Sequence, residues 1–293
     1  IVGFCQGNFE DSLAAAEKAL PILQERGLHT AYETTTVRVF RAASTFFRGD
    51  LGDLRVQLRD PIEDALQRND AYSQVALSSS IMISAWLAAD ELPEAERRQA
   101  AAEAAWPDVK FDVQRLFLVW GRALLDLYRG DPGTAFRHLD GTWKRFHASQ
   151  LWRMQSCAAT YDQIHGSAAA TVAASAQGAE RAKLLALARR CARQLERRHW
   201  PPATMKAELV RAAIACSERD EASAVEHLRR MAGSADALGL RAFGAAASFR
   251  LGALLRGDKG ARLVAEATAV LRAADVAKPP RIVDMLAPGC VIE

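Results

Sequence analysis

Little in this chain of 293 residues favours β-sheet. Aromatic residues make up 7% of it, and β-branched residues are sparse beside abundant alanine, a balance that suits helix. No run approaches the roughly eighteen apolar residues of a membrane-spanning helix. The start also lacks the charged, then apolar, then small pattern of a signal peptide, so a cytoplasmic location is expected. The five cysteines, Cys5, Cys157, Cys191, Cys216 and Cys290, are odd in number and have no metal-type spacing, which predicts reduced thiols and no metal or cofactor. Charge of one sign is scarce too. The 38 basic and 35 acidic residues leave a formal net charge of +3, too small to demand nucleic acid or an anionic membrane. The chain begins at Ile1, with only the stub IVGFCQ where the first helix of a pair belongs. That predicts a piece of a longer protein.

What is present is a repeated helical hairpin. It is clearest in ALLDLYRGDPGTAFRHLDGTWKR, from Ala123 to Arg145. Leu116, Val119, Trp120, Ala123, Leu124 and Leu127 recur at spacings of three and four and form one apolar stripe. Gly130 can end this helix in the left-handed conformation, Asp131 can cap the next one, and Pro132 suits its first position. Ala135, Phe136, Leu139, Trp143 and Phe146 then form the facing stripe. Related turns at Gly7-Asn8, Gly49-Asp50, Asp90-Glu91, Gly178-Ala179, Arg219-Asp220 and Gly257-Asp258 recur roughly every forty residues. The expected fold is all-α: a right-handed tetratricopeptide-like solenoid of about seven helix pairs with an extended concave face.

Taken in order, the pattern predicts helices over 8–26, 28–48, 54–68, 72–89, 93–106, the central hairpin, 151–174, 179–198, 203–217, 221–238, 240–256 and 260–274. Pro21 is expected to kink the first, and Pro61 to interrupt the return over 54–68. His199-Trp200-Pro201-Pro202 is the clearest break and reads as a hinge. It divides the chain into 1–198, 199–275 and a capping tail, 276–293, whose short Arg281 to Leu286 segment covers the last apolar face.

The run LYRGDPGTAFRHLDGTWKRFHASQLWRMQ from Leu127, the run AAASFRLGALLRGDKGARLVAEA from Ala245 and the closing RIVDMLAPG from Arg281 resemble a known family. It is the C-terminal helical-repeat region of large bacterial serine/threonine protein kinases, some of which carry an intervening ATPase module. The resemblance covers nearly the whole chain. Cys290 departs from it, standing where an aromatic is expected. The resemblance implies a regulatory role in signal transduction and supplies no catalytic residue, since the family's catalytic machinery lies in an N-terminal kinase domain. The chain itself has no Gly-rich phosphate loop, no HRD or DFG element and no GxxxxGK[ST]. No enzyme activity is expected of it.

Three features compete for a site. Cys157, Tyr161 and His165, with Asp162, share a helix face, but without a second ligand pair they read as packing rather than zinc binding. His138 and His147 read as surface residues. Arg189, Arg190, Arg193, Arg197 and Arg198 with His199 form the densest basic cluster, which reads as a solvated face favoured near a helix C-terminus. Carboxylates such as Asp60, Glu63 and Asp64 read as ordinary helix N-terminal residues.

The concave face carries the leading expectation. Arg38, Arg41, Gln74, Ser78, Arg115, Arg122, Arg153 and Tyr161 are the candidates for a partner-binding groove, with arginines suited to an acidic or C-terminal carboxylate peptide. The expected function is a non-catalytic protein–protein interaction scaffold that binds a protein or peptide, the parent's own catalytic domain included. The runner-up is a small-molecule sensor with a pocket beside the Ala/Ser-rich helix from Ser156 to Ser175, which a deep apolar pocket would favour. A self-assembly module is the third reading, and nucleic-acid binding the fourth and least expected. Oligomeric state is left open.

Overall fold

The computed structural model describes residues 1–25 and 30–290. Among these it contains sixteen α-helices, packed as sequential antiparallel pairs, and no strand. Helix α1 (Val2–Cys5) precedes α2 (Phe9–Glu25). Then follow α3 (Ala31–Arg48) with α4 (Leu51–Gln67), and α5 (Ala71–Ser78), a 3-10 turn (Ser80–Ile83) and α6 (Ser84–Ala88) with α7 (Leu92–Ala105). The central hairpin is α8 (Val113–Arg129) with α9 (Pro132–Ala148). Beyond it lie α10 (Gln155–Ala173) with α11 (Gly178–Glu196), α12 (Pro201–Ser217) with α13 (Glu221–Ala237), and α14 (Arg241–Leu255) with α15 (Gly257–Ala273). Helix α16 (Pro279–Leu286) ends the order. The helix start expected at Leu28 lies outside the described residues.

The turns work as their residues require. Gly130 adopts φ 82°, and the Asp131 carboxylate accepts the Thr134 backbone N–H at 2.9 Å. Asp70, Asp112 and Asp220 cap α5, α8 and α13 in the same way, accepting from Ser73, Arg115 and Ser223. Each such cap satisfies a donor that would otherwise open the helix unpaired.

Beyond pairing with its neighbour, the chain returns on itself. Trp200, fully buried, donates its indole N–H to the Phe4 carbonyl at 3.3 Å and packs edge-on against Phe47. Arg241 reaches the Arg48 carbonyl and the Asp50 carboxylate, Gly52 N–H donates to Ala274 O, and Ala277 N–H donates to Ala88 O. Helix α16 packs on α14 and α15 and also on α6 and α8. Arg250 fixes it by donating to Ala287 O and Asp284. One buried cluster runs from Phe4 to Cys290 through Trp200, so Trp200 ties the His199–Pro202 stretch to the core, while His199 and Pro201 are exposed.

Several local expectations are corrected. Pro61, expected to interrupt its helix, lies inside the continuous α4, because losing one backbone donor does not end a helix whose face is buried. The helix expected over 72–89 is broken at Ser79, which is extended, and Ser80, which has φ 61°. The Ser79 hydroxyl donates to Gln99 Oε1 at 2.7 Å and lies 3.0 Å from Phe117 O, so three-dimensional partners replace the helical bonds. Cys216 and Cys290 form a disulfide, and only Cys5, Cys157 and Cys191 are free thiols. The expectation of five reduced cysteines failed because residues 74 apart in sequence are brought together by the return of the tail.

Two stability predictions follow from this packing. A Cβ at Gly121 of α8 would meet Gln99 Oε1, lie 2.5 Å from Ser79 Oγ and 2.9 Å from Ser80 N, whereas one at Gly141 meets nothing within 4 Å. Urea unfolding should show Gly121→Ala destabilised by about 1–3 kcal/mol and Gly141→Ala stabilised by about 0.5–1 kcal/mol. Cys290→Ser should lower stability by about 2–4 kcal/mol under oxidising conditions. It should change nothing once the wild type is reduced.

Candidate functional site

The first helices of four consecutive pairs, α3, α5, α8 and α10, line a partly open cavity of about 210 Å³, with Tyr32 and Met154 exposed at its edge. Its wall on α3 is Tyr32, Thr36, Val39, Phe40, Ala43 and Phe47, a stripe at spacings of three and four. Tyr72 and Ala76 come from α5, Val113, Phe117 and Trp120 from α8, and Ser156, Cys157 and Thr160 from the start of α10. Phe4 and Met154 complete the wall. The break in the third pair is part of the wall too, since Ser80, Ile81 and Met82 line the cavity. Backbone held in a sparsely populated region commonly marks a functional surface, and here it turns three residues of a would-be helix towards open space.

The lining is aromatic and uncharged: seven of the nineteen lining residues are Phe, Tyr or Trp, and none is Asp, Glu, Lys, Arg or His. Its polar groups are few. The Thr36 hydroxyl donates to Tyr32 O at 2.9 Å, and burial raises the Tyr72 hydroxyl's pKa. Burial likewise pushes the Cys157 thiol up to about 12, so it is no thiolate nucleophile at neutral pH. Trp120 is 5% exposed, and its indole N–H is buried without a hydrogen-bond partner. Binding is within reach of this arrangement. No His, Asp, Glu, Lys or Arg lines the cavity to act as a general base.

None of the eight groove candidates lines this cavity. Arg38 sits 3.6 Å from Asp64, Gln74 donates to Ala65 O, and Arg115 donates to Trp106 O. Arg122 grips Glu103 with both Nε and Nη2. Ser78 is buried, and Tyr161 is fully buried with its hydroxyl donating to Leu139 O. Arg41 lies on the outer side of α3 towards Gln57 and Val56, and Arg153 is exposed. Arg38, Arg41, Gln74, Arg115 and Arg122 lie on polar faces of α3, α5 and α8, and the apolar stripes beside them line the cavity. The stripe from Tyr32 to Phe47 was the available signal.

The remaining features also settle into packing. The Ala/Ser-rich part of α10 beyond Thr160 is a packing surface. It is buried against α11 and α12, and a Cβ at Gly166 would come within 2.7 Å of Cys191 Cβ, so its small residues serve close approach. His165 is fully buried with both ring nitrogens lacking hydrogen bonds, Nε2 lying 3.4 Å from Asp140 without alignment. Burial lowers its pKa to about 4, which leaves it neutral. The basic cluster is divided rather than uniformly solvated. Arg189 pairs with Glu218, Arg190 lies over the Trp143 ring, and Arg198 reaches buried Asp162 at 2.6 Å.

Phe47 links the cavity to a second unusual group. Lys206 of α12 is buried, donates to Gln163 Oε1 at 3.0 Å, and lies 5.5, 5.8 and 6.0 Å from the rings of Phe47, Phe243 and Trp200. Burial pushes its pKa down to about 7 from an ordinary value of 10.5. The unfolded chain therefore binds more protons than the folded one between these two values, and stability rises with pH across that window. Lys206→Met should flatten the rise by up to about 1.4 kcal/mol per pH unit, as read by urea unfolding from about pH 7 to 10. An unchanged slope would mean that Lys206 is solvated. The chain matches no protein-family model, no curated protein and no solved structure, so what the cavity holds has to be read from its own chemistry.

Proposed function

We propose that this chain is a non-catalytic recognition module of a signalling protein, which holds a small, mostly apolar molecule in the cavity between α3, α5, α8 and α10. The helix pairs would wind as a right-handed tetratricopeptide-like superhelix, with the cavity on its inner face. The parent would be of the bacterial serine/threonine kinase type that the three sequence runs resemble. A protein partner, with the parent's catalytic domain as the expected one, would then read the occupied state.

The observation that carries this reading is the concave, largely aromatic wall, which is free of charged side chains. Small-molecule sites are typically concave and apolar with a few placed polar groups. A peptide groove rich in arginine has less support, because Arg38, Arg115 and Arg122 already have carboxylate partners within the chain.

A thermal-shift screen of uncharged small metabolites tests the proposal. A saturable rise in Tm is expected, lost in Ala43→Leu, which fills the cavity, and retained in Arg115→Ala with Arg153→Ala. Capture of a specific protein that depends on those two arginines, with no metabolite effect, would replace this reading with the scaffold.

A further inference from the structure

We infer that the first helices of five consecutive pairs, α6, α8, α10, α12 and α14, form a peptide-binding face, and that the segment from Val276 to Cys290 is its built-in occupant, locked there by the Cys216–Cys290 disulfide. A partner protein that presents a short apolar helix with one acidic residue takes its place once the disulfide is reduced. The inference goes beyond the small-molecule reading and does not depend on what the cavity holds.

A cap on an array has to cover only the last pair. This segment reaches much further. Ala277 N–H donates to Ala88 O at the end of α6, and Arg281 donates to Asp90 and lies over the Tyr128 ring of α8. Arg250 of α14 donates from Nε to Ala287 O at 3.0 Å and from Nη2 to Asp284 at 2.6 Å. Gly289 passes so close to α10 and α12 that a Cβ there would lie 3.2 Å from Thr171 Oγ1 and 3.0 Å from Ala213 Cβ. Cys290 is bonded to Cys216 near the end of α12. The cavity takes the opposite ends of α8 and α10, at Val113 to Trp120 and Ser156 to Thr160.

The segment is held as a bound peptide is held. Helix α16 turns Ile282, Val283, Met285 and Leu286 inwards, each no more than 3% exposed, and leaves Pro280 and Arg281 exposed. So short a helix does not persist alone in water. The face therefore keeps α16 in shape, and apolar anchors on a helix laid in a groove are a common mode of peptide recognition. Arg250 adds selectivity. It is 6% exposed, and losing Asp284 strips a buried guanidinium of its carboxylate. A replacement must bring an acidic residue and, three residues on, an open backbone carbonyl, as Asp284 and Ala287 do.

The disulfide decides whether replacement can occur. While it is intact the segment is tied covalently to α12. A dithiol removes the tie: the S–S bond breaks, Cys216 and Cys290 each gain one electron and one proton, and the reductant closes its own disulfide. Cys216 is partly exposed, which gives the reductant access. The segment then competes only as a tethered ligand, at an effective concentration of roughly millimolar order.

Fluorescence anisotropy on the full chain tests this, with a labelled peptide of residues 277–290 carrying Cys290→Ser so that it exchanges no disulfide. The chain with Ile282→Asp and Cys290→Ser, whose own segment no longer fits, should bind the peptide at least about tenfold more tightly than oxidised wild type. Wild type treated with dithiothreitol should fall between the two. Asp284→Asn in the peptide should weaken its binding to the double variant about ten- to a hundredfold, the range for a hydrogen bond to a charged group.

No saturable binding by the double variant, shown to be folded by circular dichroism, would overturn the peptide-binding face. Equal binding by oxidised and reduced wild type would overturn the disulfide lock. Undiminished binding of the Asp284→Asn peptide would overturn the demand for an acidic residue. Should the double variant not fold, the comparison of oxidised with reduced wild type decides the proposal by itself.

Discussion

The burial of Trp200 against Phe4, Phe9 and Phe47 is the constraint on which the rest of this structure depends. An array of helix pairs needs only nearest-neighbour contacts to be stable, and nothing in such an array requires its first pair to meet its sixth. Here the aromatic junction joins residues almost two hundred positions apart, and the Arg241 to Asp50 contact and the Ala277 to Ala88 hydrogen bond reinforce it. The same return sets Phe4 against Phe47, and both rings line the partly open cavity.

Two kinds of residue make the return sterically and electrostatically tolerable. Small residues allow the close approaches, with Gly49 set against Ala242 and Gly166 against Cys191. The polar groups caught in the interior are paired at short range. Asp162 meets Arg198, Lys206 meets Gln163 beneath three aromatic rings, and Arg250 holds the tail through Ala287 and Asp284. Asp162 titrates upward because burial outweighs its arginine, and Arg250 titrates downward for the same reason despite Asp284. Such groups add little net stability over apolar replacements but tolerate few wrong arrangements, which suits a junction that must form in one register.

The cavity depends on the same closure. Its wall takes residues from α1, four inner helices and the break at Ser79 and Ser80. That break survives because Gly121 and Gln99 bring α8 and α7 close enough to hydrogen-bond the freed serine. The pocket expected beside the Ala/Ser-rich helix from Ser156 to Ser175 overlaps the observed cavity only at the helix start, where Ser156, Cys157 and Thr160 line it. The alanine and serine residues further along α10 fill the seam with α11 and α12, and the space lies at the helix start, where the aromatic stripes of α3 and α8 face it.

The sequence by itself determined the helices, their turns and their pairing, because those are encoded by local chemistry. Apolar spacing of three and four, glycine at positive φ and aspartate at an N-cap each act within a few residues, as the Gly130-Asp131 turn illustrates. Tertiary structure alone decided the return of the chain, the Cys216–Cys290 disulfide, the broken third pair and the cavity. Each of these depends on contacts between residues far apart in sequence, and neighbours cannot report them. The groove candidates show the limit at a single residue. Arg122 reads as a free cation on an inner helix until folding places Glu103 within reach of it, and Phe117 reads as packing until the chain leaves space beside it.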